Sequence, residues 1–181
     1  MRHEKLETSV SESRQDGLFA AAMAQYGQAL ARLARGYEAD ADLRRDLEQE
    51  LQVALWQSFG RFDERCAVST WVWRVAHNRA ISFVLSRKRQ RNWLPIEDID
   101  LADDAPTQSD RAEKEEAMAL ILSIIDRLDP PDRQILLLYL EGVGGAEIAE
   151  VTGVTADVAA TKIHRFKTML TRRFAATGDP R

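Results

Sequence analysis

The chain has 181 residues, 45% apolar and 30% charged, enough apolar material for a core and too much for wholesale disorder. A single cysteine, Cys66, excludes an internal disulfide and a multi-cysteine zinc site, and no run approaches the roughly 18 apolar residues of a membrane span or forms a signal-like leader, so a cytoplasmic protein is expected. The net charge of −4 and pI of about 5.5, taken whole, weigh against a nucleic-acid binder.

Residues 1–17 lack periodicity and are expected to form a mobile tail. Leu18–Gly36 is Ala-rich and reads as a helix stopped at Gly36. Leu43, Leu47, Leu51, Leu55 and Phe59 recur every four residues, the apolar stripe of a long helix ending near Gly60. With Leu47 turned inward, Asp46, Gln49, Glu50 and Val53 share another face, an acidic patch that suits either protein docking or plain solvation. Arg61–Ser69 breaks the pattern and reads as a loop. Ser69 or Thr70 can cap the next helix, which runs through Trp71–Ser86 into a basic run.

That helix carries aromatics beside cations: Trp71, Trp73, Arg74, His77, Asn78 and Arg79. Rings that stack on bases beside arginines that neutralise phosphates suit single-stranded nucleic acid. Two core tryptophans with a snorkelling arginine nearby fit the same residues.

Pro95, Pro106 and a crowd of acids mark residues 94–112 as a self-repelling, extended linker. Helical pattern resumes near Glu113. Asp129-Pro130-Pro131-Asp132 is a helix start, with an N-cap acid and proline in the first turn, and that helix ends at Glu141-Gly142. Glu147–Glu150, then Gly153, then Val154-Thr155 and a longer helix follow the grammar of a helix-turn-helix. Ala159, Ile163, Phe166, Leu170 and Phe174 form its expected core stripe. Asp157, Ala160, Thr161, Lys162, Arg165 and Thr168 are expected to face outward, and Thr155 can cap the helix. A helical hairpin in a bundle would show the same spacing without binding DNA.

Charge resolves along the chain as −4 over 1–64, +7 over 65–96, −7 over 97–116 and 0 over 117–181. The modest total therefore hides a cationic stretch (Arg65, Arg74, Arg79, Arg87, Lys88, Arg89, Arg91) and a basic run from Lys162 to Arg173. Such asymmetry fits nucleic-acid contact.

In this order the motifs resemble an RNA polymerase sigma factor of the extracytoplasmic-function (ECF) type, within the sigma-70 family, over roughly Leu18–Phe174. The segments that carry the resemblance are DLEQE (Asp46–Glu50), STWVWRVAHNRAI (Ser69–Ile81) with SRKRQR (Ser86–Arg91), and LDPPDRQILLLYLEG (Leu128–Gly142) with EIAEVTGVTADVAATKIHRFK (Glu147–Lys167). The resemblance implies an all-α fold of two small helical domains: a region 2-like bundle over 18–93 and a region 4-like helix-turn-helix over 113–175. They are joined by the acidic linker 94–112 and flanked by tails at 1–17 and 176–181.

It implies partners as well: core RNA polymerase, promoter DNA and an anti-sigma factor, with no membrane insertion. Asp46, Gln49 and Glu50, with Val53 on the same face, would dock on the clamp helices of the β′ subunit. The loop Asp63–Ser69, including Cys66 and Ser69, would capture a flipped base of the minus-ten element. Trp71, Trp73, Arg74, His77, Asn78 and Arg79 would lie near the melting strand, and Arg87, Lys88, Arg89 and Arg91 would meet duplex phosphates. Thr155, Asp157, Ala160, Thr161, Lys162, His164, Arg165 and Lys167 would serve the minus-thirty-five element. The linker would thread the RNA-exit path.

Three departures bear on this reading. Ser82 stands where the family has Asp, Gly144-Gly145 where it often has Ser-Tyr, and Ala159-Ala160-Thr161-Lys162 where it has Val-Lys-Ser-Arg. The last removes a side chain suited to phosphate or base contact and leaves a smaller core residue. Two other readings stay open on the residues alone: a helix-turn-helix regulator acting without polymerase, and a sigma-like decoy for an anti-sigma factor. No enzyme signature, catalytic set, cofactor motif or metal site is expected; His3, His77 and His164 are far apart in the chain. Cys66 beside Arg65 fits a redox sensor or, more simply, an inert loop thiol.

Overall fold

The computed structural model describes residues 2–87, 93–99 and 110–177. They form seven α-helices and, among the described residues, no β-strand. The chain divides into two compact units, Met1–Arg89 and Gln90–Arg181.

In the first unit α1 (Arg2–Tyr37), α2 (Ala41–Phe59) and α3 (Val68–Arg87) pack together. Asp40 caps α2, its carboxylate accepting from the N–H groups of Asp42 and Leu43 at 3.0 and 2.9 Å. The four-residue stripe Leu47, Leu51, Leu55 and Phe59 is buried, as its spacing predicts. It meets Leu30, Leu33, Ala34 and Tyr37 in α1, and Val72, Ala76, Ala80 and Phe83 in α3, within one core. Each Leu, Val or Phe of this set contributes about 1.5–3 kcal/mol by leaving water.

Helix α1 differs from its expectation at both ends. Gly36 does not stop it, and residues 2–17, read as a tail, continue the helix. Around residues 14–16 the helix is held by polar contacts. Gln15 donates to the Trp56 carbonyl at 2.7 Å, Trp56 donates its indole N–H to Asp16 at 2.8 Å, and Arg14 pairs with Glu64. A search for apolar periodicity cannot see contacts of this kind.

The second unit holds α4 (Asp110–Arg127), α5 (Pro130–Leu140), α6 (Gly145–Thr152) and α7 (Ala156–Thr177). Asp129 caps α5 by accepting from Asp132 N–H at 3.0 Å, with Pro130 and Pro131 opening the helix. Burial raises the Asp129 pKa above the usual aspartate value. The core gathers Ile124, Ile125 and Leu128 with Ile135, Leu136, Leu138, Ile148, Ala159 and Phe166. Phe174, expected in the stripe of α7, is instead 41% exposed, because the last turns of the helix outrun the core.

The expected linker also begins later than its composition suggests. Residues 93–99 belong to the second unit. Leu94 forms an isolated parallel bridge with Leu128, its N–H donating to Arg127 O and its carbonyl accepting from Asp129 N–H, each at 2.9 Å. Ile96, in a 3-10 turn over Ile96–Asp98, is buried. Proline and acid content marked this stretch as extended and solvated, yet the Leu94 backbone bridge and the buried Ile96 side chain anchor it. Residues 100–109 of the expected linker and 178–181 of the expected tail lie outside the described residues.

Candidate functional site

Three surfaces carry the residues singled out by the sequence. On α2, Asp46, Gln49 and Val53 are exposed and Glu50 is half-buried. With Ala54, Gln57 and Arg79 they line a shallow concavity of about 540 Å³. Arg79, expected near DNA, reaches across from α3 and pairs with Glu50 at 2.6 Å. The geometry therefore joins one arginine expected near DNA to the exposed face of α2, and holds Glu50 within it.

The second surface is the loop after α2 and the helix it feeds. Arg65 folds back on Asp63, its side chain at 3.0 Å and its N–H at 3.3 Å from that carboxylate. Glu64 takes the left-handed conformation at φ 61°, a local cost for a residue with a Cβ. Cys66 is a half-buried free thiol and Ser69 is also half-buried. Trp71 is pinned from inside: its indole N–H donates to Ser58 Oγ at 3.0 Å and its ring lies 5.3 Å from that of Phe62.

Two of the expected DNA-facing residues are core instead. Trp73 is 4% exposed, edge-on to Tyr26 at 5.9 Å, and His77 is fully buried. The Tyr37 hydroxyl shares a 2.9 Å hydrogen bond with His77 Nδ1. Burial pushes the His77 pKa down to about 3, so the ring is neutral at physiological pH. The packing alternative weighed for the tryptophans fits Trp73, and His77 is buried with it, because the helix stripe that buries Ala76 and Ala80 also carries positions 73 and 77 inward. Asn78 is exposed, Arg74 half-buried and Arg79 held as above. Arg87 ends α3; Lys88, Arg89 and Arg91 lie outside the described residues.

The third surface is the helix-turn-helix. Gly153 supplies the turn at φ 77°, its N–H closing on Ala149 O at 2.9 Å. Thr155 then caps α7, with Oγ1 accepting from Val158 N–H at 3.3 Å. Asp157, Ala160, Thr161, His164, Arg165 and Lys167 are exposed along α7. Lys167 Nζ sits 4.9 Å above the Tyr139 ring.

Lys162 departs from its outward expectation. It donates to Asp132 at 2.9 Å and to Glu97 at 2.8 Å and is 18% exposed. Burial works to lower its pKa, but the hydrogen bonds it donates to Glu97 and Asp132 outweigh that and raise the value. The Lys162 hydrogen bond in turn holds Glu97 below the usual carboxylate range. Sequence reasoning missed Glu97 and Asp132 as a site, since each has a local explanation (linker acid, first-turn acid) and nothing local pairs them with Lys162.

A sequence model of sigma-70 region 2 matches residues 22–90 and one of sigma-70 region 4 matches residues 118–170. The chain is 30% identical over 156 residues, 81% of each chain, to the RNA polymerase sigma factor NccH of Alcaligenes xylosoxydans xylosoxydans. It is 25% identical over 172 residues to the sigma factor CnrH of Cupriavidus metallidurans, covering 89% of this chain and 88% of that one. A solved structure of CnrH in complex with the cytosolic domain of CnrY superposes with a TM-score of 0.65 at 21% identity, covering 93% of this chain and 94% of that one. The chain belongs to the sigma-70 family of RNA polymerase sigma factors, in its extracytoplasmic-function class. It is a sigma factor: it joins core RNA polymerase, recognises promoter DNA and starts transcription. None of its described helices is long and apolar enough to cross a membrane.

Proposed function

We propose that the sigma function is divided among the three surfaces in family order, and that the exposed α2 face carries polymerase docking. The observation behind this is that Asp46, Gln49 and Val53 project beside the Arg79–Glu50 pair around one concavity. An apolar side chain that is 54% exposed amid carboxylates is a ready centre for a partner helix. The loop 63–69, with Cys66 and Ser69, takes the minus-ten base; Trp71 shapes the floor of that loop rather than stacking in the open. Asn78 and Arg74 face the melting strand, and Arg87, Lys88, Arg89 and Arg91 the duplex. Thr155, Asp157, Ala160, Thr161, His164, Arg165 and Lys167 present α7 to the minus-thirty-five element, while Lys162 holds the α7 register from inside. Such a protein acts in the cytoplasm. That CnrH has been solved with the cytosolic domain of CnrY supports control of this chain by a partner protein of the anti-sigma kind.

Transcription in vitro with purified core polymerase and a genomic promoter library tests the whole reading. Asp46→Lys and Val53→Asp test the docking face. Each is expected to weaken core binding about tenfold or more, about 1.4 kcal/mol, with the helical circular dichroism unchanged. Unaltered core affinity in both removes α2 from the interface. Glu50→Lys is the poorer probe, because it would set two cations against each other at Arg79.

A further inference from the structure

We propose that residues 93–98 form an acidic latch on the recognition helix, with Glu97 occupying Arg165, a cation of α7 that promoter DNA must otherwise use. This rests on the reading that α7 faces the minus-thirty-five duplex. Lys162 and Arg165 are three residues apart, neighbours on one flank of α7. Glu97 takes both, with Oε2 at 2.8 Å from Lys162 Nζ and Oε1 at 3.8 Å from Arg165 Nη1. Arg165 also borders the fully outward side of the helix, where Thr161 and His164 are exposed. A carboxylate at that border holds the place a phosphate oxygen would take, and repels the duplex over a range of about 10 Å at moderate salt.

The latch is built rather than incidental. An exposed ion pair ordinarily contributes little, since both long side chains must be ordered. Here the backbone under Glu97 is already fixed: Leu94 is bridged to Leu128, Ile96 is 4% exposed, and Ile96 N–H donates to Asp132 Oδ2 at 2.8 Å. The same Asp132 oxygen accepts from Lys162 at 2.9 Å. At the other end Arg133, itself 1% exposed, lies 6.0 Å from the Trp93 ring centre. Ordering has been met by the strap, so the Glu97 carboxylate is presented to α7 at little further entropic cost. Lys162, with Asp132 as a second partner, stays seated when Glu97 is removed; Arg165 is the cation set free. The latch therefore sets a threshold: free protein binds duplex weakly, and DNA engages α7 fully only when the Glu97 side chain swings aside.

The test uses the full chain and a mixed-sequence 30-base-pair duplex, titrated at several salt concentrations. Glu97→Gln, which keeps the shape, and Glu97→Ser, which removes the partner, are both expected to bind about threefold or more tighter. Both should steepen the log affinity against log salt slope by about 0.9, one added phosphate contact. Asp98→Asn makes the same change in net charge one residue away and should leave affinity and slope near the parent. Equal gains in Asp98→Asn and Glu97→Gln would reduce the effect to net charge and overturn the latch, as would unchanged binding in both Glu97 variants. Adding Arg165→Ala should abolish the gain of Glu97→Gln; a gain that persists overturns Arg165 as the target. Arg165→Ala with Lys167→Ala in the parent separates the two readings. If that pair leaves duplex binding unaltered, the α7–DNA reading itself fails; if it weakens binding while Glu97→Gln has no effect, only the latch fails.

Discussion

His77 sits wholly inside the first unit with its Nδ1 on the Tyr37 hydroxyl, and its Nε2 has no hydrogen-bond partner among the described residues. A histidine so placed is a liability in acid. Its folded pKa of about 3 lies below the ordinary 6.5. The unfolded chain therefore takes up a proton that the folded chain refuses. The stability this site contributes is complete above about pH 6.5 and is lost as pH falls toward 3, by about 1.4 kcal/mol per pH unit. From pH 7 to pH 5 the loss is about 2 kcal/mol. His77→Gln keeps an acceptor for Tyr37 and cannot titrate. Hydrogen exchange of the α3 amides should show the parent opening more easily at pH 5 and the variant holding its pH 7 protection relative to the parent. Matching pH dependence in the two would place the acid sensitivity elsewhere. The sequence placed His77 near the melting strand only through the resemblance, because a single histidine on a helix does not report which of its flanks is covered. Only the Ala76 and Ala80 neighbours on the covered side, seen in three dimensions, decide it.

At the scale of elements, the turn between α6 and α7 shows how one residue holds two helices in relation. Gly153 has φ 77°, and a Cβ there would meet nothing within 4 Å. Gly153→Ala therefore costs through backbone conformation alone, about 1–2 kcal/mol, and Gly153→Asn costs less because asparagine tolerates the left-handed region. A lower thermal midpoint for Ala than for Asn, and for both than for the parent, is the expected order in a melting series. Reversal of Ala and Asn would mean that crowding rather than φ governs the site. This turn, the Asp129 cap and the α2 stripe were all legible in the sequence, since each is written in residues at most four apart. The N-terminal half of α1 was not. Its anchors, Gln15 and Asp16 on Trp56, span about forty positions of chain and are polar. The strap at Leu94–Ile96 escaped for the opposite reason: its anchors, a backbone bridge and one buried side chain, are too few to register as a period beside Pro95 and the acids that follow.

At the scale of the whole molecule, the net charge of −4 conceals a division of labour. On the proposed assignment the acidic docking face belongs to the first unit and the cationic face of α7 to the second. Substitutions in groups without common partners combine additively, within about 0.5 kcal/mol. Asp46→Lys should lower core-polymerase affinity and leave the binding of free protein to duplex DNA nearly as it was. Arg165→Ala with Lys167→Ala should do the reverse: core affinity is kept, while holoenzyme binds promoter fragments more weakly and with a shallower salt slope, by about 0.9 per lost phosphate contact. Combining all three should multiply the two losses in a transcription assay run below saturation. A combined loss far from that product would show that polymerase docking and α7 engagement are one coupled event. The salt series tells which step carries the coupling, because α7–phosphate contacts release counterions and the contacts of the α2 face with polymerase do not. Promoter affinity in the holoenzyme that keeps its parental salt slope after loss of Arg165 and Lys167 would remove both from the phosphate contacts and return the DNA-facing role to the first unit alone.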